Sequence, residues 1–142
     1  MTSWEIRITQ SSTAYLFVGV AASQVDLNTF LGGCQHGWGF IGEQALYHNR
    51  EKIKVYGEPF SAGDVVGVVL DLNIGVLSFT RNGRSLGVAF DGIYGELYPA
   101  VAFYNVGQVS ICFLHMNRFV RESITNLSTA CIYGYTGTRN FG

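Results

Sequence analysis

The sequence predicts an all-β domain, and three observations carry that prediction. Apolar and polar residues alternate with period two along several short stretches. Asn82-Gly83 stands between two such stretches, and Asn-Gly suits a two-residue hairpin because both central residues of a type I′ turn need positive φ. No stretch keeps a helical period for more than about two turns. Composition agrees: 18 glycines and 2 prolines among many β-branched and aromatic residues fit short strands joined by tight turns.

The elements follow in order. Trp4, Ile6 and Ile8 alternate with Glu5, Arg7 and Thr9, as in a half-buried strand. Residues 10–14 form a polar turn and 15–22 a more apolar strand, so the first two strands are expected to pair as a hairpin. Residues 23–37 carry Gly32-Gly33 and little periodicity; a loop of that length is more often functional than decorative. Short strands are expected at 38–42, 45–48 and 52–56, followed by a turn around Pro59. Residues 65–72 are nearly all apolar, as in a central strand buried on both faces. Residues 77–81 and 84–89 form the Asn-Gly hairpin, with Phe79 expected opposite Leu86 and Leu77 opposite Val88. After a glycine-rich loop, 98–104 and 108–113 close the regular part. Residues 1–113 are therefore the expected core, and 114–142 an extension with one or two helical turns at 114–123 and a further strand at 130–135.

Bulk properties exclude several classes. A chain of 142 residues suffices for one domain with a core and no disulfides. Hydrophobic residues make up 48% and charged residues 13%, too apolar a mixture for general disorder. A net charge of −1 gives no long-range attraction for nucleic acid, and no apolar run reaches membrane-spanning length. Residues 1–10 carry Glu5 and Arg7 and no apolar segment of the kind an export signal needs. Cys34, Cys112 and Cys131 are odd in number and widely spaced, which argues against a disulfide framework or a zinc site. The expected compartment is reducing, the cytoplasm with the nucleus as alternative. Asn126-Leu127-Ser128 is then a chance match to the glycosylation pattern.

Searching for chemistry returns structural readings. Residues 37–42 (GWGFIG) match a dinucleotide-type glycine pattern, but a loop precedes them and the intervening residues are bulky; close packing of a buried strand is the better account. His36, His48 and His115 are scattered, and Cys34-Gln35-His36 lacks a second pair of metal ligands. Asp64, Asp71 and Asp91 sit at strand ends, where aspartate caps backbone amides. Arg50, Lys52 and Lys54 read as a guarded edge strand, and Arg81 and Arg84 as charges splaying into water at the hairpin tip. No spacing assembles nucleophile, base and orienter, so neither an enzyme, a metal nor a cofactor is expected.

Five segments, in one order, resemble the SPRY domain family: SWEIRI, YLFVGVA, GWGFIGEQALYHN, the run DVVGVVLDLNIGVLSFTRNGRSLGVAF, and LYPAVAFYNVGQVSICF. The resemblance spans residues 4–113 and implies a two-sheet antiparallel β-sandwich of concanavalin A-like jelly-roll type. It further implies a module that binds a protein or extended peptide through loops at one end, usually within a larger adaptor or ubiquitin-ligase component. Strands that the family carries before the WEIRI motif have no counterpart in this sequence. The segment ACIYGY (130–135) is expected to cover the edge that their absence would open. Mapped onto this chain, the peptide pocket falls on residues 26–30 and 104–106. Phe30 and Tyr104 are the expected exposed aromatic anchors, Asn28, Gln35 and Asn105 the polar readers, and Val106 a neighbouring contact. A domain sensing phosphorylated metabolites, and a packing module in a large assembly, are the alternative readings.

Overall fold

The computed structural model describes residues 1–11, 15–104, 109–116 and 131–135. Among these, eleven strands form two packed sheets and no helix occurs, which establishes the all-β sandwich. The strands are β1 (Thr2–Ser11), β2 (Leu16–Ala21), β3 (Gly37–Ile41), β4 (Ala45–His48), β5 (Glu51–Val55), β6 (Val65–Asp71), β7 (Val76–Arg81), β8 (Arg84–Phe90), β9 (Tyr98–Tyr104), β10 (Val109–Met116) and β11 (Cys131–Tyr135). The first sheet has the order β10-β1-β6-β7-β8 and the second β11-β9-β2-β3-β4-β5. Every pairing is antiparallel except β11 on β9, which is parallel.

Period-two alternation explains the core. Trp4, Ile6 and Ile8 of β1, Val66, Val68 and Leu70 of β6, and Leu77 and Phe79 of β7 point inward from the first sheet. Leu16, Val18, Val20, Phe40, Leu46 and Val101 meet them from the second. Each fully buried Ile, Leu, Val or Phe contributes about 1.5–3 kcal/mol. The second sheet is also apolar outside: Phe17, Ala21, Ile41, Ala45, Tyr47, Ala100 and Ala102 form a second cluster, roofed by Phe30 and Leu31 of the loop between β2 and β3 and flanked by Tyr135. β2 is consequently buried along its whole length.

Four expectations about the strands need correction. β1 and β2 are not a hairpin. They lie in opposite sheets, because β6 and β10 occupy both edges of β1, while β3 and β9 occupy both edges of β2. In the Asn-Gly hairpin the turn is as expected, with φ of 51° at Asn82 and 83° at Gly83, and Thr80 faces Ser85. Beyond that the register slips twice, so that Ser78 faces Val88 and Leu77 faces Phe90. Bulges on β8 are the reason, and Gly87, at φ 89°, supplies a conformation that few other residues adopt. β6 is central, but only one of its faces is fully buried. Finally, β10 runs on to Met116, so residues 114–116 are strand rather than the start of a helix; residues 117–123 lie outside the described residues.

The glycine pattern at 37–42 serves packing. A Cβ on Gly39 would lie 2.2 Å from the Leu31 carbonyl oxygen, and one on Gly19 would lie 1.9 Å from the Trp38 carbonyl oxygen. These two glycines face each other across β2 and β3; Gly19 lets the two strands approach, and Gly39 lets the loop roof close down on the sheet. At the hairpin tip, Arg81 and Arg84 do not splay into water. Glu58 pairs with both, and Arg81 also reaches Asp64 at 3.3 Å. Asp64 accepts from the Ser61 amide at 2.9 Å and from the Asn82 side-chain amide at 3.0 Å, the capping role expected of it.

Candidate functional site

Phe30 and Tyr104 belong to one aromatic cluster on the outer face of the second sheet. The long loop folds back over β2 and stacks Phe30 on Phe17, ring centroids 5.2 Å apart, with Tyr47 edge-on at 5.4 Å. The register of β11 on β9 puts Tyr133 beside Ala102 and Tyr135 beside Tyr104. Tyr135 thereby bridges the two predicted anchors, 6.3 Å from Phe30 and 5.5 Å from Tyr104, the latter edge-to-face at 86°. Tyr15 closes the row at 6.4 Å from Tyr104. Offset and edge-on arrangements of this kind are the ones the ring quadrupole favours.

The members differ in exposure. Phe30 is only 6% exposed, so the expectation of an exposed anchor fails there. Its ring fills the groove over Phe17 and is part of the floor. Tyr104 and Tyr15 are half-buried, Tyr104 at the end of β9 and Tyr15 just before β2. Asn28 is exposed; its backbone amide donates to the Asp26 carboxylate at 2.9 Å, a turn that leaves the Asn28 side chain on the surface. Leu27 beside it is 52% exposed, an apolar side chain that no aromatic or polar motif marks in the sequence. Gln35 does not join this group. It lies near the start of β3, its side-chain nitrogen 3.3 Å from His36 Nε2, and lines a cleft at the opposite end of the sandwich. Asn105 and Val106 lie outside the described residues.

The chemistry of the outer face is apolar and neutral. Burial raises the hydroxyl pKa of Tyr133, reinforced by the nearby Cys131 and Cys34, and burial likewise raises that of Tyr135. Burial also raises the Cys131 thiol, which with Cys34 is free. The Tyr133 hydroxyl oxygen is buried without a hydrogen-bond partner among the described residues. No group of three or more His, Cys, Asp or Glu side chains suited to a metal occurs among the described residues.

The architecture is a two-sheet β-sandwich with an aromatic cluster under the loop between β2 and β3. The sequence matches the SPRY domain family over residues 2–116, and the chain belongs to that family. Among proteins, it is 31% identical over 103 residues to Ran-binding protein 9 of Danio rerio, covering 72% of this chain and 17% of that protein. It is 39% identical over 113 residues to the ATP-dependent RNA helicase Ddx1 of Drosophila melanogaster, covering 72% and 15%. Among solved structures, the SPRY domain of human HERC1 superposes with a TM-score of 0.61 at 27% identity, covering 68% of this chain and 62% of that one. A second human SPRY domain superposes with a TM-score of 0.65 at 20% identity, covering 79% and 74%. The chain therefore spans less than a fifth of the two relatives named above. These relatives fit a protein-interaction module.

Proposed function

We propose that the chain binds an extended segment of a partner protein on the outer face of the second sheet, as one module of a larger adaptor or ubiquitin-ligase-type protein, in the cytoplasm or nucleus. Binding rather than catalysis is the proposed activity. The observation that carries the site is the row Tyr15–Tyr104–Tyr135, held in edge-to-face contact and continuous with Phe30 beneath the loop. Tyr104 supplies the apolar contact, Leu27 a second one, and Asn28 pairs with peptide amides; Phe30 holds the loop in place rather than touching the ligand. Because the floor is packed in advance, the ligand orders little of the protein on binding, which preserves affinity. The metabolite-sensing alternative has less support, since Glu58 and Asp64 already pair with Arg81, and Glu58 with Arg84.

The test is a displayed peptide library panned against the chain. Enriched peptides are expected to lose about tenfold or more in affinity on Tyr104→Ala and on Leu27→Ser, with melting of the Leu27→Ser variant unchanged. Peptides that bind both variants as well as they bind the parent chain would remove the site.

A further inference from the structure

At the other end of the sandwich lies a cleft of about 1040 Å³ between the two sheets' open edges. Among the described residues, β5 ends one sheet and β8 ends the other, so each has a backbone edge without a neighbouring described strand. Trp38 and His48, opposite each other on β3 and β4, form one wall. Their rings stack 4.6 Å apart at 7°, and His48 Nδ1 donates to the Gly37 carbonyl at 2.9 Å, which fixes the imidazole. Ile53, Val88 and Tyr94 also line the cleft and are 46%, 55% and 79% exposed, an apolar patch left open to solvent. The loop from β8 to β9 adds Asp91 and Glu96 to the rim, and the Tyr98 hydroxyl donates to Glu96 and holds it there. Lys54 is the one Lys or Arg among the lining residues, and its ammonium sits 6.0 Å over the Tyr56 ring.

We propose that this cleft is a second binding site, taking an extended peptide segment of a partner protein in which a lysine or arginine stands beside an apolar residue. The volume exceeds what one side chain fills and matches the upper range of ligand pockets, about 300–1,000 Å³. Charge complementarity selects the cation: the carboxylates of Asp91 and Glu96 and the aromatic side chains of Trp38 and Tyr94 line the space, and a guanidinium or ammonium suits both groups. The apolar neighbour packs on Val88 and Ile53. The peptide backbone runs along the free edge of β8, as in strand addition, and the β8 bulges restrict that pairing to a short stretch. This site shares no residue with the aromatic row and stands independently of it.

The experiment uses an immobilised array of short extended peptides in which Val-Arg-Val or Val-Lys-Val is flanked by serine, alongside counterparts with Glu in place of the cation. The full chain is expected to bind the basic peptides and to bind the Glu series at least about tenfold more weakly, with binding weakened by salt. Asp91→Asn with Glu96→Gln is expected to cost about tenfold, Val88→Ser a similar amount, and Tyr104→Ala nothing. The altered side chains in the cleft are exposed, so the melting temperature serves as the folding control. Equal binding of the Glu series, insensitivity to the Asp91/Glu96 pair, loss on Tyr104→Ala, or no binding to any basic peptide would overturn the assignment.

Discussion

The two ends of this sandwich are held together by different physics. On the outer face of the second sheet, rings from four separate segments (Phe17, Phe30, Tyr47 and Tyr135), in stacked and edge-on contact, close a buried apolar layer. Beside the open edges, the corner near β8 is joined by hydrogen bonds and ion pairs instead. Tyr56 donates to the Gly87 carbonyl at 2.6 Å, and Glu58 and Asp64 gather Arg81 and Arg84. The first arrangement makes a stiff floor that can present Tyr104. The second ties the segment after β5 to β8 on the side away from the cleft, whose lining includes none of Glu58, Asp64, Arg81 and Arg84. A single scaffold thus offers one preformed surface and one insertable one, and each responds to a different perturbation.

The largest effect is expected from Phe30→Ala. Its ring is 6% exposed and contacts Phe17, Tyr47 and Tyr135, so truncation leaves a cavity beneath the loop. A loss of about 3–4 kcal/mol follows for a buried Phe→Ala change, with a melting temperature lower by roughly 10 °C or more. Thermal melting read by circular dichroism measures it. A variant that melts with the parent chain would mean that the outer face is a surface and not a core, and the contrast between the two ends would collapse.

Phe30 is buried despite its place in an aperiodic loop. A phenylalanine in a long aperiodic loop reads as exposed, because periodicity reports burial only for residues on strands. What buries it is the second apolar face of β2, and the clue was present. LFVGVA has no polar alternation, the mark of a strand covered on both sides. The scaffold was legible because local signals sufficed: Asn82-Gly83 at the turn, and the alternation of Trp4, Ile6 and Ile8. The pairing of β1 was not legible, since edges are chosen by contacts far along the chain; its partner β10 lies over a hundred residues away. Nor was the cleft, because Gln35, Val88 and Tyr94 come from three segments, each of which reads as ordinary loop or hairpin.

The next effect in size concerns β11. A chain ending at Arg118 loses Tyr135, which is 2% exposed and touches Phe17, Phe30 and Tyr104. A loss of about 2–3 kcal/mol is expected from that burial, a fall in melting temperature of roughly 6–10 °C. An unchanged melting temperature would assign closure of the outer face to the 22–36 loop alone, and would leave the aromatic row without its bridge.

The smallest effect sharpens the comparison through pH. Burial works against ionisation of Asp64, but hydrogen bonds from Asn82 and Ser61 and the charge of Arg81 outweigh it and hold the carboxyl below its ordinary value. The hydrogen bond from Arg84 leads the same lowering at Glu58. A depressed folded-state pKa contributes stability above the unfolded-state value, about 3.9 for Asp, and loses it as pH falls through the lower folded value. The melting temperature is therefore expected to drop on acidification below about pH 4. Asp64→Asn costs about 1 kcal/mol at neutral pH by weakening its acceptor bonds, and its acid limb is shallower. The tyrosines of the outer face have raised values, so their contribution is complete at neutral pH and falls only as pH climbs past about 10, the unfolded tyrosine value. Acid should thus loosen the open corner while the aromatic face stays closed, and hydrogen exchange at about pH 3 separates the two. Exchange that rises first on β2 and β9 rather than on β7 and β8 would reverse the assignment of ionic and aromatic ends.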